Sequence, residues 1–291
     1  FGVRFQNIIN KAVESTGKKA VVLIDEYDKP MLDVLGTEQE EKNRSILRGF
    51  YGTFKVVDAN LRFVLLTGVT KFSQISVFSG FNQPNDISMN SKFDAICGIT
   101  EEELHDCFAE PILEMADRME CTEDEVKEML KKQYDGYHFS QKMLDIYNPF
   151  SLINAFNSMD IENYWYRSGT PTYLAKLLEG HSVNIQKLTS NAYETQYFID
   201  YRADSEDPLA MLYQSGYLTI KGYDKRYKEY TLDYPNDEVR KGFVTLMANS
   251  YFGKKVEYPD SWIKNLDRML RRGDLEEIRD AFTAFLASIP Y

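Results

Sequence analysis

Hydrophobic positions in the first seventy residues follow two different periods. Val3, Phe5, Ile8, Ile9, Ala12 and Val13 recur at helical spacing and predict an amphipathic helix over residues 3–16. Gly17 and two lysines follow, a pattern that predicts its C-terminal cap. The chain then runs apolar without a break from Ala20 to Ile24, with three β-branched residues, and meets Asp25 and Glu26. That run predicts a strand buried on both faces, as in a parallel sheet. Ile46, Leu47, Phe50, Tyr51 and Phe54 return to the helical period, and Leu61-Arg-Phe-Val-Leu-Leu66 predicts a second strand that ends in Thr67-Gly68. Strand, helix, strand at this length is a βαβ unit with parallel strands and a right-handed crossover. Asp25, Glu26 and Thr67 then project from the same edge of the sheet, the edge at which open α/β sheets bind ligands.

Residues 70–94 alternate Gly, Asn, Ser and Pro with aromatics and predict a long ordered loop, and Ala95 to Ile99 predict a third strand. Thr100-Glu-Glu-Glu103 and Thr122-Glu-Asp-Glu125 are capping boxes. The first opens a helix to about Met119, which Pro111 kinks or splits unless it opens a second helix, and the other opens a helix to about Gln133. Asn148-Pro149 and Thr170-Pro171 each place proline at the first position of a further helix, the latter closing at Gly180. Tyr217–Ile220 and Glu229–Leu232 alternate and predict a β-hairpin, between a short helix near Pro208–Gln214 and a long helix capped by Asn236 or Asp237. Helix, hairpin, helix is the order of a winged-helix module. Two more amphipathic helices fill residues 261–289. The expected class is α/β. A parallel-sheet core occupies 1–99, a helical lid 100–180, a winged-helix-like module 181–251 and a helical linker 252–291.

Composition narrows the partners. With 34 basic against 45 acidic residues the net charge is −11, which argues against a chain coated for nucleic acid. Residues 181–291 alone come near balance, with 15 basic and 17 acidic groups. There the hairpin carries Lys221, Lys225, Arg226 and Lys228 interleaved with Tyr223 and Tyr227. A nucleic-acid wing and a solvated turn on a structural module both fit that pattern. Cys97, Cys107 and Cys121 lack metal-ligand spacing with each other or with His105, His138 and His181, so free thiols in a reducing cytosol are expected. No apolar run reaches membrane-spanning length, and no membrane partner is expected.

An apolar strand that ends in two carboxylates looks like a Walker B element of a P-loop NTPase. There the first carboxylate holds Mg²⁺ and the second orients or deprotonates a water. A core strand ending in a solvated acidic turn fits the same string. A hydroxyl at Thr67 could face a γ-phosphate or the attacking water, or simply start the turn that Gly68 completes.

Further segments carry a wider resemblance. Val-Leu-Ile-Asp25-Glu26-Tyr27-Asp28-Lys29-Pro30, Leu-Leu-Thr67-Gly68-Val-Thr-Lys71-Phe72-Ser73, Ser79-Gly80-Phe81-Asn82, Tyr134-Asp-Gly-Tyr137-His-Phe139, Tyr147-Asn148-Pro149-Phe150 and Tyr166-Arg167-Ser168-Gly169-Thr170-Pro171 follow one another along residues 1–180. In these the chain resembles the bacterial AAA-ATPase-like family found fused to a C-terminal PD-(D/E)xK nuclease domain. The resemblance implies ATP and Mg²⁺ as cofactors, with Asp25 the Mg²⁺ carboxylate, Glu26 the water-activating one and Thr67 a sensor. It implies that Asn148-Pro149 contacts adenine, as in the lid of related signal-transduction ATPases, and that Arg167 is an arginine finger or lid arginine. A homo-oligomer, and DNA or RNA reached through the nuclease, are the further partners it suggests. No Gly-Lys-Ser or Gly-Lys-Thr string occurs in the 291 residues. The phosphate-binding loop is therefore expected upstream and the nuclease downstream, with this chain an internal fragment that hydrolyses little alone. In the related fold the strand of that loop lies between the strand ending at Thr67 and the one near Ile96–Ile99, so those two strands should not pair. A non-catalytic interaction or oligomerisation module is the competing reading.

Overall fold

Gly17 takes the left-handed conformation (φ 65°), and its N–H returns to the Val13 carbonyl at 2.8 Å. This ends the first helix, α1 (Gly2–Thr16), where its apolar stripe runs out. The computed structural model describes residues 1–71, 84–167, 174, 185–199, 207–252 and 259–288. After α1 come β1 (Ala20–Ile24), α2 (Lys29–Leu32), α3 (Glu40–Val57), a 3-10 turn (Asp58–Asn60) and β2 (Leu61–Leu66). β1 and β2 pair in parallel, from Ala20 opposite Leu61 to Ile24 opposite Leu66, as the βαβ pattern predicts. The Phe5 ring of α1 lies 5.0 Å from Phe50 and 5.1 Å from Phe54 of α3, and Tyr51, Phe54, Val57 and Val22 are buried.

The expectation of burial on both faces is not met. Strand side chains alternate between faces, and the register puts Val21 opposite Phe63 on the face away from buried Val22. There Val21, Leu23 and Phe63 are 57%, 68% and 53% exposed. An apolar run reports burial tendency; it does not say whether an element is present to cover each side.

The third strand is also corrected. Residues 95–98 form turns, and the strand is the two-residue β3 (Ile99–Thr100). It pairs antiparallel with β4 (Ile146–Tyr147) in a separate sheet, so β2 and β3 are not neighbours. β3 is short because Thr100 also serves as the N-cap of the next helix, its hydroxyl accepting the Glu103 N–H at 3.2 Å.

That helix, α4 (Glu101–Cys107), begins a block with α5 (Ala109–Arg118), α6 (Glu123–Tyr134) and α7 (Pro149–Ser158). Both predicted capping boxes form, with the Thr100 and Thr122 N–H groups donating to Glu103 and Glu125 at 2.9 and 2.8 Å. Pro111 sits in the first turn of α5, beyond a break at Phe108, so it opens a second helix and does not kink the first. Leu104, Ile112, Met115, Val126, Leu130, Tyr134, Tyr147, Leu152 and Ala155 make one fully buried cluster. After α8 (Tyr164–Arg167), the helix predicted from Thr170 to Gly180 falls, apart from helical Leu174, outside the described residues, as does the 72–83 part of the long loop.

Next come α9 (Ile185–Ser190), β5 (Ala192–Glu194), α10 (Thr195–Ile199), α11 (Leu209–Gln214), β6 (Thr219–Asp224), β7 (Glu229–Asp233) and α12 (Asp237–Phe252). The hairpin is present, shifted so that Lys221 lies within β6, and β5 adds an unanticipated third strand in the order β5-β7-β6. Asn236 caps α12 through the Val239 N–H at 3.1 Å. The chain divides into two units, Phe1–Arg240 and Lys241–Tyr291. The second contains a helix pair in mutual contact, α13 (Pro259–Arg272) and α14 (Leu275–Ser288). The whole is mixed α/β with small sheets. Among the described residues no helix is long and apolar enough to cross a membrane.

Candidate functional site

The register of β1 and β2 aligns Ile24 with Leu66, so the residues that follow each strand leave the sheet side by side. The ladder continues past the strand ends: Thr67 N–H donates to the Ile24 carbonyl and Tyr27 N–H to the Thr67 carbonyl, both at 2.9 Å. The Thr67 hydroxyl donates to Asp25 Oδ1. That oxygen also accepts the Glu26 N–H at 3.0 Å. Glu26 itself has φ 51°, a left-handed conformation that a non-glycine side chain adopts at a cost, and like Asp25 it is exposed. Asp25, Glu26 and Thr67, 42 residues apart at the extreme, are thus brought together as the βαβ reading predicts.

Around them lie residues to which the sequence reading gave no role. Asp28 is buried and accepts the Val69 N–H at 3.2 Å, the Thr70 N–H at 2.5 Å and the Thr70 hydroxyl at 2.8 Å. The Tyr27 hydroxyl donates to the Thr70 carbonyl at 2.6 Å. A Cβ on Gly68 would come within 2.5 Å of Asp28 Oδ1 and 2.6 Å of the Tyr27 ring, so the two strand-end loops meet at a distance only glycine permits. Burial, helped by the charge of Asp28, pushes the nearby Tyr51 hydroxyl up to about 12. The sequence signal for Asp28 was the third acid of Asp-Glu-Tyr-Asp.

The other predicted residues take separate positions. Asn148 is the N-cap of α7, accepting the Ser151 N–H at 3.2 Å, and also hydrogen-bonds Tyr137; Pro149 is the first helical residue. Arg167 is the last residue of α8, and its side chain is outside what is described. Lys221 does not stand free at a hairpin tip: its ammonium donates to the Gly136 carbonyl at 2.9 Å and the Pro235 carbonyl at 3.1 Å, and burial pushes its pKa down. Lys225, Arg226 and Lys228 are exposed in the turn, with the Arg226 guanidinium 5.3 Å above the Tyr227 ring. All three cysteines are free, and among the described residues no group of three or more His, Cys, Asp or Glu is placed to hold a metal. A site in which protein carboxylates supply only part of the shell suits Mg²⁺, which keeps several waters and usually takes one or two carboxylates with phosphate oxygens.

Two parallel strands thus present adjacent acidic residues and a hydroxyl at one edge, the edge at which open α/β sheets bind ligands. The stretch that forms it is also the stretch with a family match. Residues 1–78 match the AAA-ATPase-like family, described as a predicted AAA-ATPase. The chain is 34% identical over 291 residues to an "uncharacterized protein in vnfD 5′ region" of Azotobacter chroococcum mcd 1, an alignment that takes in 99% of this chain and 54% of that protein. The chain therefore spans about half the length of that curated relative. No solved structure matches it.

Proposed function

We propose that residues 1–99 form the carboxylate and sensor part of an AAA-like site that binds and hydrolyses ATP. The observation that carries this reading is the Thr67 hydroxyl held on the Asp25 carboxylate at the shared end of two parallel strands, inside the family-matched stretch. In this reading Asp25 holds Mg²⁺, and Glu26 orients and deprotonates the attacking water. Thr67 contacts the γ-phosphate or that water. The amide-rich loop and lysine that hold the phosphates come from a strand outside these 291 residues, beside β2. The exposed face at Val21, Leu23 and Phe63 is covered by the elements that accompany that strand. The Asn148-Pro149 turn lies against adenine, and Arg167 acts as a finger or lid arginine. Residues 181–251 are a winged-helix-like module, and the nucleotide state gates an attached nuclease that acts on DNA or RNA.

The test is Mg-ATP binding and hydrolysis by the 291-residue chain and by a protein extended upstream, each also carrying Glu26→Gln. The expected result is binding by the extended protein alone, with Glu26→Gln retaining binding and losing hydrolysis. Binding by neither would make Asp25-Glu26 a strand-end acidic turn and leave the interaction-module reading in its place.

A further inference from the structure

Asp28 is the N-cap residue of α2, yet its side chain makes no bond to that helix. An aspartate at an N-cap ordinarily accepts an N–H from the first turn of its own helix. Here both carboxylate oxygens reach instead to residues more than forty positions away, one to Val69 and the other to Thr70. Asp28 is 1% exposed, so this carboxylate is held out of water against a desolvation cost, offset by three hydrogen bonds from the β2-end loop. The same loop is pinned on each side of that contact. Thr67 is bound to Asp25 and to the backbone of Ile24 and Tyr27, and Lys71 N–H donates to Gln214 Oε1 of α11 at 2.7 Å. Residues 67–71 thus run between the strand-end carboxylate and α11, and Asp28 holds their middle.

We infer that Asp28 is a positioning residue: it fixes the Thr67–Thr70 segment so that the Thr67 hydroxyl stays at the strand end beside Asp25 while nucleotide binds and turns over. This rests on the ATP reading of the strand end. Asp28 has no contact with substrate in this account. It acts through Thr67, and its loss should slow the chemical step and leave nucleotide affinity nearly intact.

The experiment uses the protein extended upstream of Phe1, with Asp28→Asn and Thr70→Val measured against Asp25→Asn. Asparagine keeps one acceptor oxygen and so cannot hold Val69 and Thr70 together; valine deletes only the Thr70 hydroxyl bond. The readouts are Mg-ATP affinity by fluorescence titration and kcat and KM by phosphate release. For Asp28→Asn the expected result is a kcat roughly 10–100-fold lower with affinity within about threefold, the size typical for loss of a group that orients another. Thr70→Val should give a smaller fall in kcat of the same kind. Asp25→Asn should abolish turnover. Should Asp28→Asn fail to fold by circular dichroism, Thr70→Val carries the test, and wild-type kcat in that variant overturns the inference. Wild-type kcat in Asp28→Asn, or a loss confined to affinity, also overturns it while leaving the ATP reading intact. Unchanged turnover in Asp25→Asn overturns the placing of the nucleotide's metal at this strand end, on which the inference rests.

Discussion

In the block made by α4 to α7, nine large and small apolar side chains from four helices and β4 are fully buried, and both threonine-led helix starts are closed by reciprocal caps. In the β1–β2 sheet, Val21, Leu23 and Phe63 stand exposed, and the strands end in exposed Asp25, Glu26 and Thr67. The first region encloses a shared apolar core and closes its helix starts, and leaves the buried Asp135 carboxylate without a well-formed hydrogen bond. The second leaves apolar side chains open on one face of the sheet and polar ones open at the strand ends. Open apolar and polar groups side by side mark a place where a ligand or another element can supply the missing partner. The contrast teaches that self-contained packing and exposed polar groups lie in different stretches of this chain.

The largest expected effect separates the two regions by core truncation. Leu130→Ala should destabilise by about 2–5 kcal/mol through a cavity, whereas Leu23→Ala, already exposed to water, should cost under about 1 kcal/mol. Denaturant unfolding followed by tryptophan fluorescence measures both. Equal losses would break the comparison, and a large loss at Leu23 only in the extended protein would sharpen it, since the sheet face would then be covered.

A second effect is a pH dependence inside the helical region. Burial pushes the Asp135 carboxyl up to about 6, with the Gly136 N–H and Lys131 only partly offsetting it. The folded state therefore keeps this proton to higher pH than the unfolded state. The associated stability is fully present below the ordinary carboxylate range and is lost as pH rises through about 6. Asp135→Asn should remove that loss, on the order of 1–3 kcal/mol between pH 4 and 7. Unfolding midpoints of the two proteins across that range should converge at the acid end; parallel curves would contradict the assignment.

Smaller again is the cap. Thr122→Ala should cost about 1 kcal/mol, read by the same unfolding measurement, because it removes the acceptor for the Glu125 N–H. Smallest is the hairpin turn. Lys225→Ala with Arg226→Ala should change stability by less than about 0.5 kcal/mol, since both side chains are exposed. If the turn is a nucleic-acid wing, that pair should also lower affinity for a fluorescent oligonucleotide at low salt and flatten its salt dependence; no binding by wild type at low salt removes the wing from the account.

Local signals carried much of this. The strand bounds at Ala20–Ile24 and Leu61–Leu66, the Gly17 cap, both capping boxes and the Asn148-Pro149 helix start are set by residues within a few positions of one another, and the parallel pairing of the two strands follows from the helix between them. What escaped depends on distant partners. Two extended residues at Ile99–Thr100 have no period to read, and their partner lies 46 residues on. β5 is defined by β7, not by its own three residues. The burial of Asp28 depends on Gly68 letting the second loop approach. In the candidate site, the association of Asp25, Glu26 and Thr67 was legible because parallel pairing fixes which ends coincide. The clamp that holds Thr67 there was not. Lys221 read as a surface cation because its two carbonyl partners, Gly136 and Pro235, come from separate turns.

The most direct test of the central claim is electron paramagnetic resonance of Mn²⁺ with ATP added to a protein extended upstream of Phe1. The account predicts a protein-bound Mn²⁺–ATP signal that Asp25→Asn abolishes and Glu26→Gln retains. A bound signal unchanged by Asp25→Asn would mean that this carboxylate does not hold the nucleotide's metal.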